Sequence, residues 1–290
     1  MNPYEVAKYE SAYTFYTLKE ERTNSSVTIC PQRGGIATSC LLNGVELFYM
    51  EEDTLLDPAA NIRGGNPVLF PISGQLENGR YEWESKSYTM RNHGVARNRP
   101  WEVVSTSEKD EAAVTLRLRS DDSTRLEYPF DFELLFTYAL KDGVLHIRQL
   151  YRNLSNRSMP LYAGFHPYFR TNSKQLVYAT DATRYLDYND HTVKAIDGPL
   201  SIEGLKESVA LLDAQQPTIA FPAPDSGTIW MKYSDLFKYV VLWQVDGKPF
   251  VCVEPWMALN AELNRKDELP MIGAEETLEA SLSIGYQLAE

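Results

Sequence analysis

The chain has 290 residues, 43% of them hydrophobic and 23% charged, enough apolar material for a sizeable core and too much for a disordered polymer. Its formal net charge of −12 opposes a phosphodiester backbone and an anionic bilayer, so neither nucleic acid nor membrane is an expected partner. Cys30, Cys40 and Cys252 form no CxxC pair and leave one thiol over in any disulfide scheme. With no basic-then-apolar leader and no apolar run near about 18 residues, a soluble cytoplasmic protein is the expectation.

In chain order, Ser25 to Cys30 and residues 37–49 suggest opening strands, punctuated by Gly34-Gly35 and Asn43-Gly44. Residues 57–65 lack apolar periodicity and hold two adjacent glycines after Arg63, which predicts a loop whose backbone approaches a neighbour closely. Pro67 and Pro71 flank Val68-Leu69-Phe70, a run compatible with an edge strand only. Residues 79–88 read as a short hairpin leading into a loop, Asn92-His93-Gly94-Val95-Ala96-Arg97. Beyond it the period-2 signal strengthens. Val114, Leu116 and Leu118 alternate with polar residues, as do Phe132, Leu134, Phe136, Tyr138 and Leu140, and Lys141-Asp142-Gly143 turns the chain into residues 144–151 as a long hairpin.

Residues 161–164 form a β-like run that ends in Phe165-His166-Pro167-Tyr168-Phe169. Residues 176–188 and 218–220 are weaker strands, and 208–212 reads as a short helix or loop. Strand signal resumes at 228–232 and 239–245, turns at Asp246-Gly247 into 250–253, and closes on Leu278, Ala280, Leu282, Ile284, Tyr286 and Leu288 at period 2. There is no sustained helical period, no internal repeat and no Pro/Gly/Ser linker. One all-β domain over residues 1–290, a large antiparallel β-sandwich, is therefore expected.

Two residues stand out because each precedes proline, which pushes its backbone out of the helical region. His166 precedes Pro167, and Glu254 precedes Pro255 at the end of an apolar run. By alternation His166 shares a face with Gly164, which leaves room above it. Glu254 shares a face with Phe250 and Cys252, apolar surroundings that raise a carboxyl pKa and make it a usable base near neutrality. A lone strand histidine is more often structural, and a glutamate at a sheet rim often pairs with an arginine; the acid–base reading rests on the two together. His93, Arg97 and Trp101 add a donor, a fixed cation and an aromatic platform, the types that recognise polyhydroxylated ligands. His146 and His191 have no such company.

Taken together, Arg63-Gly64-Gly65-Asn66-Pro67 with Phe70-Pro71, His93-Gly94-Val95-Ala96-Arg97 with Trp101, His166-Pro167-Tyr168-Phe169 and Glu254-Pro255-Trp256 resemble the aldose 1-epimerase (galactose mutarotase-like) family in order and spacing. The resemblance implies a β-supersandwich and a cofactor-free isomerase, a mutarotase that interconverts the α and β anomers of an aldose. It places the general acid at His166, the general base at Glu254 and a sugar-binding histidine at His93. Gln75 stands where many galactose mutarotases carry a sugar-contacting arginine, with Arg63 as a replacement guanidinium. The Arg63-Gly64-Gly65 and Gly94-Val95-Ala96-Arg97 segments look more like the hexose-6-phosphate mutarotase branch, and Asp213 is the match for a sugar-binding aspartate. A free aldohexose is the first substrate expectation and a hexose 6-phosphate the alternative. A non-catalytic carbohydrate-binding protein and a glycoside hydrolase or lyase are the competing classes; a hydrolase would need a second carboxylate opposite Glu254. The partner expected is a small sugar, no metal is expected, and monomer and homodimer both remain open.

Overall fold

The alternating strands gather into three larger antiparallel sheets, of five, seven and eight strands, in the computed structural model, which describes residues 2–288. The five-stranded sheet runs in chain order through Tyr4–Glu10, Thr14–Glu20, Ser25–Cys30, Ile36–Leu42 and Val45–Glu46. Its first two strands precede the first strand signal in the sequence. Tyr4–Glu10 buries none of its side chains fully, so the in-and-out contrast that marks a strand is weak there.

The seven-stranded sheet is ordered Thr218–Pro222, Thr228–Tyr233, Thr277–Gln287, Val144–Asn153, Phe132–Lys141, Ala112–Arg119 and Glu102–Ser107. Its central hairpin pairs Phe132 with Asn153 and Lys141 with Val144. Asp142 and Gly143 close the turn at φ of 51° and 70°, the left-handed pair that a tight hairpin requires.

The eight-stranded sheet is ordered Thr192–Ala195, Arg184–Asp187, Val209–Leu212, Tyr239–Trp243, Phe250–Trp256, Gly164–Phe165 and Val68–Leu69, with Tyr168–Arg170 also pairing Phe250–Trp256. Val68–Leu69 lies at the edge, as its flanking prolines dictate. The segment expected as a short helix or loop, 208–212, is instead the strand Val209–Leu212 inside this sheet. An unbroken apolar run suits a strand buried on both faces and has no periodicity to announce it. Of residues 176–188, only Leu176, at the end of Gln175–Leu176, and Arg184–Asp187 are strand.

One face of the eight-stranded sheet packs on the seven-stranded sheet. Phe165, Leu242, Val251 and Val253 share a continuous buried cluster with Phe136, Ile147, Tyr151 and Leu282, and the Phe136 and Phe165 rings lie 6.1 Å apart. Leu18, Val27, Ile29 and Leu42 of the five-stranded sheet join the same cluster. This is the expected sandwich of one-sided sheets. Among the described residues the longest helix is Asp122–Glu127, with 6 residues, and none is long and apolar enough to cross a membrane.

The glycine loop makes the close approach that the sequence suggests. Gly64 has φ 140°, and a Cβ there would lie 2.5 Å from Met50 Cα and 2.6 Å from the Tyr49 carbonyl oxygen. Gly65 N donates to that carbonyl at 2.8 Å. The loop is thus clamped to Tyr49 and Met50, which fixes Asn61-Ile62-Arg63 beside the outer face of the eight-stranded sheet.

Candidate active site

Strand register explains why His166 and Glu254 meet. On the central strand Phe250–Trp256, Gly164 is paired with Trp256 and Tyr168 with Cys252. The residue midway between Gly164 and Tyr168, His166, therefore falls opposite Glu254, on the face away from the core. His166 Nε2 lies 3.5 Å from Glu254 Oε1. The neighbouring strand pairs Val241 with Glu254 and Trp243 with Cys252, which sets the Trp243 ring edge-on to His166 at 5.8 Å. Tyr168 stacks on His166 with centroids 4.7 Å apart and planes 10° off parallel. The room that Gly164 leaves is taken by Trp256, whose Cδ1 would be 2.9 Å from a Cβ at that position.

The loop segments supply the walls. His93 sits in the left-handed region at φ 67°, an uncommon conformation for a residue with a side chain, held by His93 N donating to Gly74 O and by a 2.6 Å bond between Nδ1 and Ser73 O. The Ser73 carbonyl can only accept, so Nδ1 carries the proton and Nε2, 3.2 Å from Asn92 Nδ2, is the acceptor. The His93 ring meets His166 edge-on at 5.3 Å. Arg97 is buried; one terminal nitrogen donates to Ile62 O at 2.7 Å and its Nε has no partner. The result is a cavity of about 310 Å³ lined by Arg63, Gln75, His93, Arg97, His166 and Glu254 together with Asn92, Tyr188, Trp243, Trp256 and Asn260.

Burial dominates the electrostatics. Glu254 is 1% exposed and His166 5%. Loss of water pushes the Glu254 carboxyl well above the ordinary carboxylate range, against the opposing effects of the Trp256 indole, which donates to Oε2 at 3.1 Å, and of the Arg97 charge. Loss of water also holds His166 well below its ordinary value, reinforced by His93 and Arg97, and lowers His93 to about 3. Burial thus favours the protonated carboxyl and the neutral imidazole over an ion pair between them.

Of the residues singled out from the sequence for the site, Arg63, Gln75, His93, Arg97, His166 and Glu254 line this cavity, and Asp213 and Trp101 do not. Asp213 lies outside it and accepts hydrogen bonds from the backbone amides of Thr183 and Arg184, the Thr183 hydroxyl and Arg184 Nε, which lower its pKa to about 2. The carboxylate that lines the cavity between the two motifs in sequence is Glu207. Trp101 is a buried core ring against Phe136, not a platform in the cavity. His146 is bound to Ser283 Oγ in mid-sheet, consistent with a structural residue. Sequence reading missed Trp243 and Tyr188, although Trp243 follows from the alternation of 239–245 once the face of Glu254 is known. Asn260 comes from a loop with no periodic signal; its Oδ1 accepts from Gln75 N at 2.9 Å and ties the two loops together.

Comparison with known proteins bears on this geometry. The aldose 1-epimerase family model matches residues 15–268. The Slr1438 protein of Synechocystis sp. PCC 6803 superposes with a TM-score of 0.91 at 32% identity over 100% of this chain and 98% of that one. A galactose mutarotase-like protein of Clostridium acetobutylicum has the same fold, with a TM-score of 0.82 at 15% identity and 100% of both chains covered. A Salmonella typhimurium protein provisionally named glucose-6-phosphate 1-epimerase is 30% identical over 96 residues, 33% of this chain and 30% of that protein.

The raised carboxyl has a measurable consequence for stability. Between the ordinary carboxylate pKa and the folded value, the unfolded chain has released the proton that folded Glu254 retains, so this group's contribution is present at low pH and lost as pH rises. Glu254→Gln cannot ionise and escapes that loss. The melting temperature of Glu254→Gln relative to the parent should therefore increase from about pH 5 to about pH 8. A constant difference would show that Glu254 titrates alike in both states.

Proposed function

The chain belongs to the aldose 1-epimerase family, and from that premise we propose that it interconverts the α and β anomers of an aldohexose, with Glu254 and His166 as the proton-transfer pair. The observation that supports this most is the cross-strand placement of a buried carboxyl and a buried imidazole 3.5 Å apart on a cavity floor. In the working form His166 carries a proton and Glu254 is the carboxylate. Glu254 takes the proton of the C1 hydroxyl as that oxygen becomes the aldehyde carbonyl, the bond from C1 to the ring oxygen breaks, and His166 delivers its proton to the ring oxygen. Rotation about C1–C2 and the reverse transfers close the other anomer. The chemistry begins and ends with one proton on the pair, so no net proton is exchanged with solvent.

His93, neutral and with Nε2 unprotonated, offers an acceptor to a sugar hydroxyl, and Arg97 and Gln75 offer donors. Trp256 and Trp243 give flat apolar walls for the C–H faces of a pyranose. The group facing Glu254 is an imidazole, not the second carboxylate that hydrolysis employs, which favours isomerisation over hydrolysis. We take residues 1–290 as one domain, and three buried free thiols support a reducing, cytoplasmic location.

Each positioned proton-transfer group typically contributes ~10²–10⁴-fold in rate, roughly 3–5 kcal/mol of barrier. Glu254→Gln and His166→Ala should each lower kcat for anomer interconversion of glucose or galactose by about that factor while the fold persists. Turnover near the parent's in either variant would remove that residue from the chemistry. Polarimetry started from a pure anomer reads this directly.

One observation favours a hexose 6-phosphate as the second reading. Arg63 is exposed at the cavity, and its guanidinium makes no hydrogen bond or ion pair among the described residues. A guanidinium suits bidentate phosphate binding. The net charge of −12 works against a dianion, although exposed charges beyond about 10 Å are screened at ordinary ionic strength. On the aldohexose reading, kcat/KM for glucose should equal or exceed that for glucose 6-phosphate. A phosphate preference that Arg63→Ala and added salt both erase would make the phosphorylated sugar the substrate.

A further inference from the structure

Directly beneath the pair lies a group that proton transfer does not use. Cys252 is two residues from Glu254 on the same strand face and is paired with Tyr168, whose ring stacks on His166. A ligand nitrogen of His166, Cys252 Sγ and a carboxylate oxygen of Glu254 all lie within 4.8 Å of one another. We propose that these three residues bind a thiophilic divalent cation, with zinc as the prototype, and that its binding occupies the His166–Glu254 pair and inhibits the enzyme.

The donors are free to ligate. Cys252 is a free thiol, and the imidazole nitrogen that faces the carboxylate is His166 Nε2. The 3.5 Å from His166 Nε2 to Glu254 Oε1 exceeds a good hydrogen bond. Zinc–ligand bonds of about 2.0–2.3 Å in a tetrahedron put donor atoms roughly 3.3–3.7 Å apart. The imidazole–carboxylate spacing already meets that, and the sulfur, which lies within 4.8 Å of both, needs to close by about 1 Å. His166 and Glu254 line the cavity, so the cation enters from it and keeps its fourth position toward solvent.

Charge and selectivity follow from the same three groups. A thiolate and a carboxylate neutralise a divalent ion, and the protons of the thiol and the carboxyl leave to solvent with no change of oxidation state. The Arg97 guanidinium nearby opposes the cation, so both anionic ligands are needed. Sulfur with nitrogen selects Zn²⁺, Cd²⁺ and Co²⁺ over Mg²⁺ and Ca²⁺, which prefer all-oxygen sites. Binding is independent of the catalytic assignment; inhibition rests on the proton-transfer reading above.

Two arms separate these. Metal-free protein titrated with Co²⁺ should develop the near-ultraviolet thiolate-to-cobalt absorption and the visible bands of a four-coordinate ion, both displaced by Zn²⁺ and unaffected by Mg²⁺. No thiolate band in the wild-type protein overturns the site, whatever the enzyme's activity proves to be. In the activity arm Zn²⁺ should inhibit the parent, and Cys252→Ala, which keeps its metal-free turnover, should need at least about 10-fold more Zn²⁺. Equal sensitivity of the two would place inhibition elsewhere and overturn the proposal. If Cys252→Ala does not fold, the wild-type cobalt spectrum decides.

Discussion

The candidate site depends on one strand register. Because Gly164 pairs with Trp256 and Tyr168 with Cys252, His166 is held opposite Glu254, and a one-residue slip would turn one of them into the core. Both strands are short of freedom for independent reasons. Phe250–Trp256 is wholly buried and has neighbours on both sides, and the opposing strand is interrupted by His166-Pro167, where the proline removes a backbone donor. His166 N still donates, to Pro67 O at 3.1 Å, so the edge strand closes the gap from the other side. A site built on strands in this way is held more tightly than one built on loops.

Much of this was legible in the sequence, and the failures have physical causes. His-Pro and Glu-Pro fix local extended backbone, so His166 and Glu254 can be picked out before any contact is known. The long hairpin and the closing strand are half-buried and alternate, which is the pattern a single sequence shows best. Tyr4–Glu10 alternates too weakly to be seen, and Val209–Leu212 has no alternation because it lies inside the sheet. Asp213 lies at a suitable place in the chain order, yet its carboxylate is taken up by Thr183 and Arg184. Asn260, Tyr188 and Glu207 reach the cavity through tertiary folding alone, and no local pattern encodes that.

The same burial that brings the pair together tunes it. Desolvation raises the carboxyl and lowers the imidazole, which favours the uncharged form of each over an ion pair. Trp256 and Arg97 pull Glu254 back toward ionisation, which keeps the carboxylate within reach.

The most direct test of the central claim is magnetisation-exchange NMR at the anomeric carbon of labelled glucose or galactose, with catalytic protein, as a function of pH. With burial lowering His166 and raising Glu254, the imidazole ionises only below the ordinary histidine range and the carboxyl only above the ordinary carboxylate range. The account predicts protein-dependent α–β exchange whose kcat/KM stays level through about pH 6.5 on the way down. A rate that falls there with the titration of an ordinary histidine, or no exchange beyond the uncatalysed rate, would contradict it.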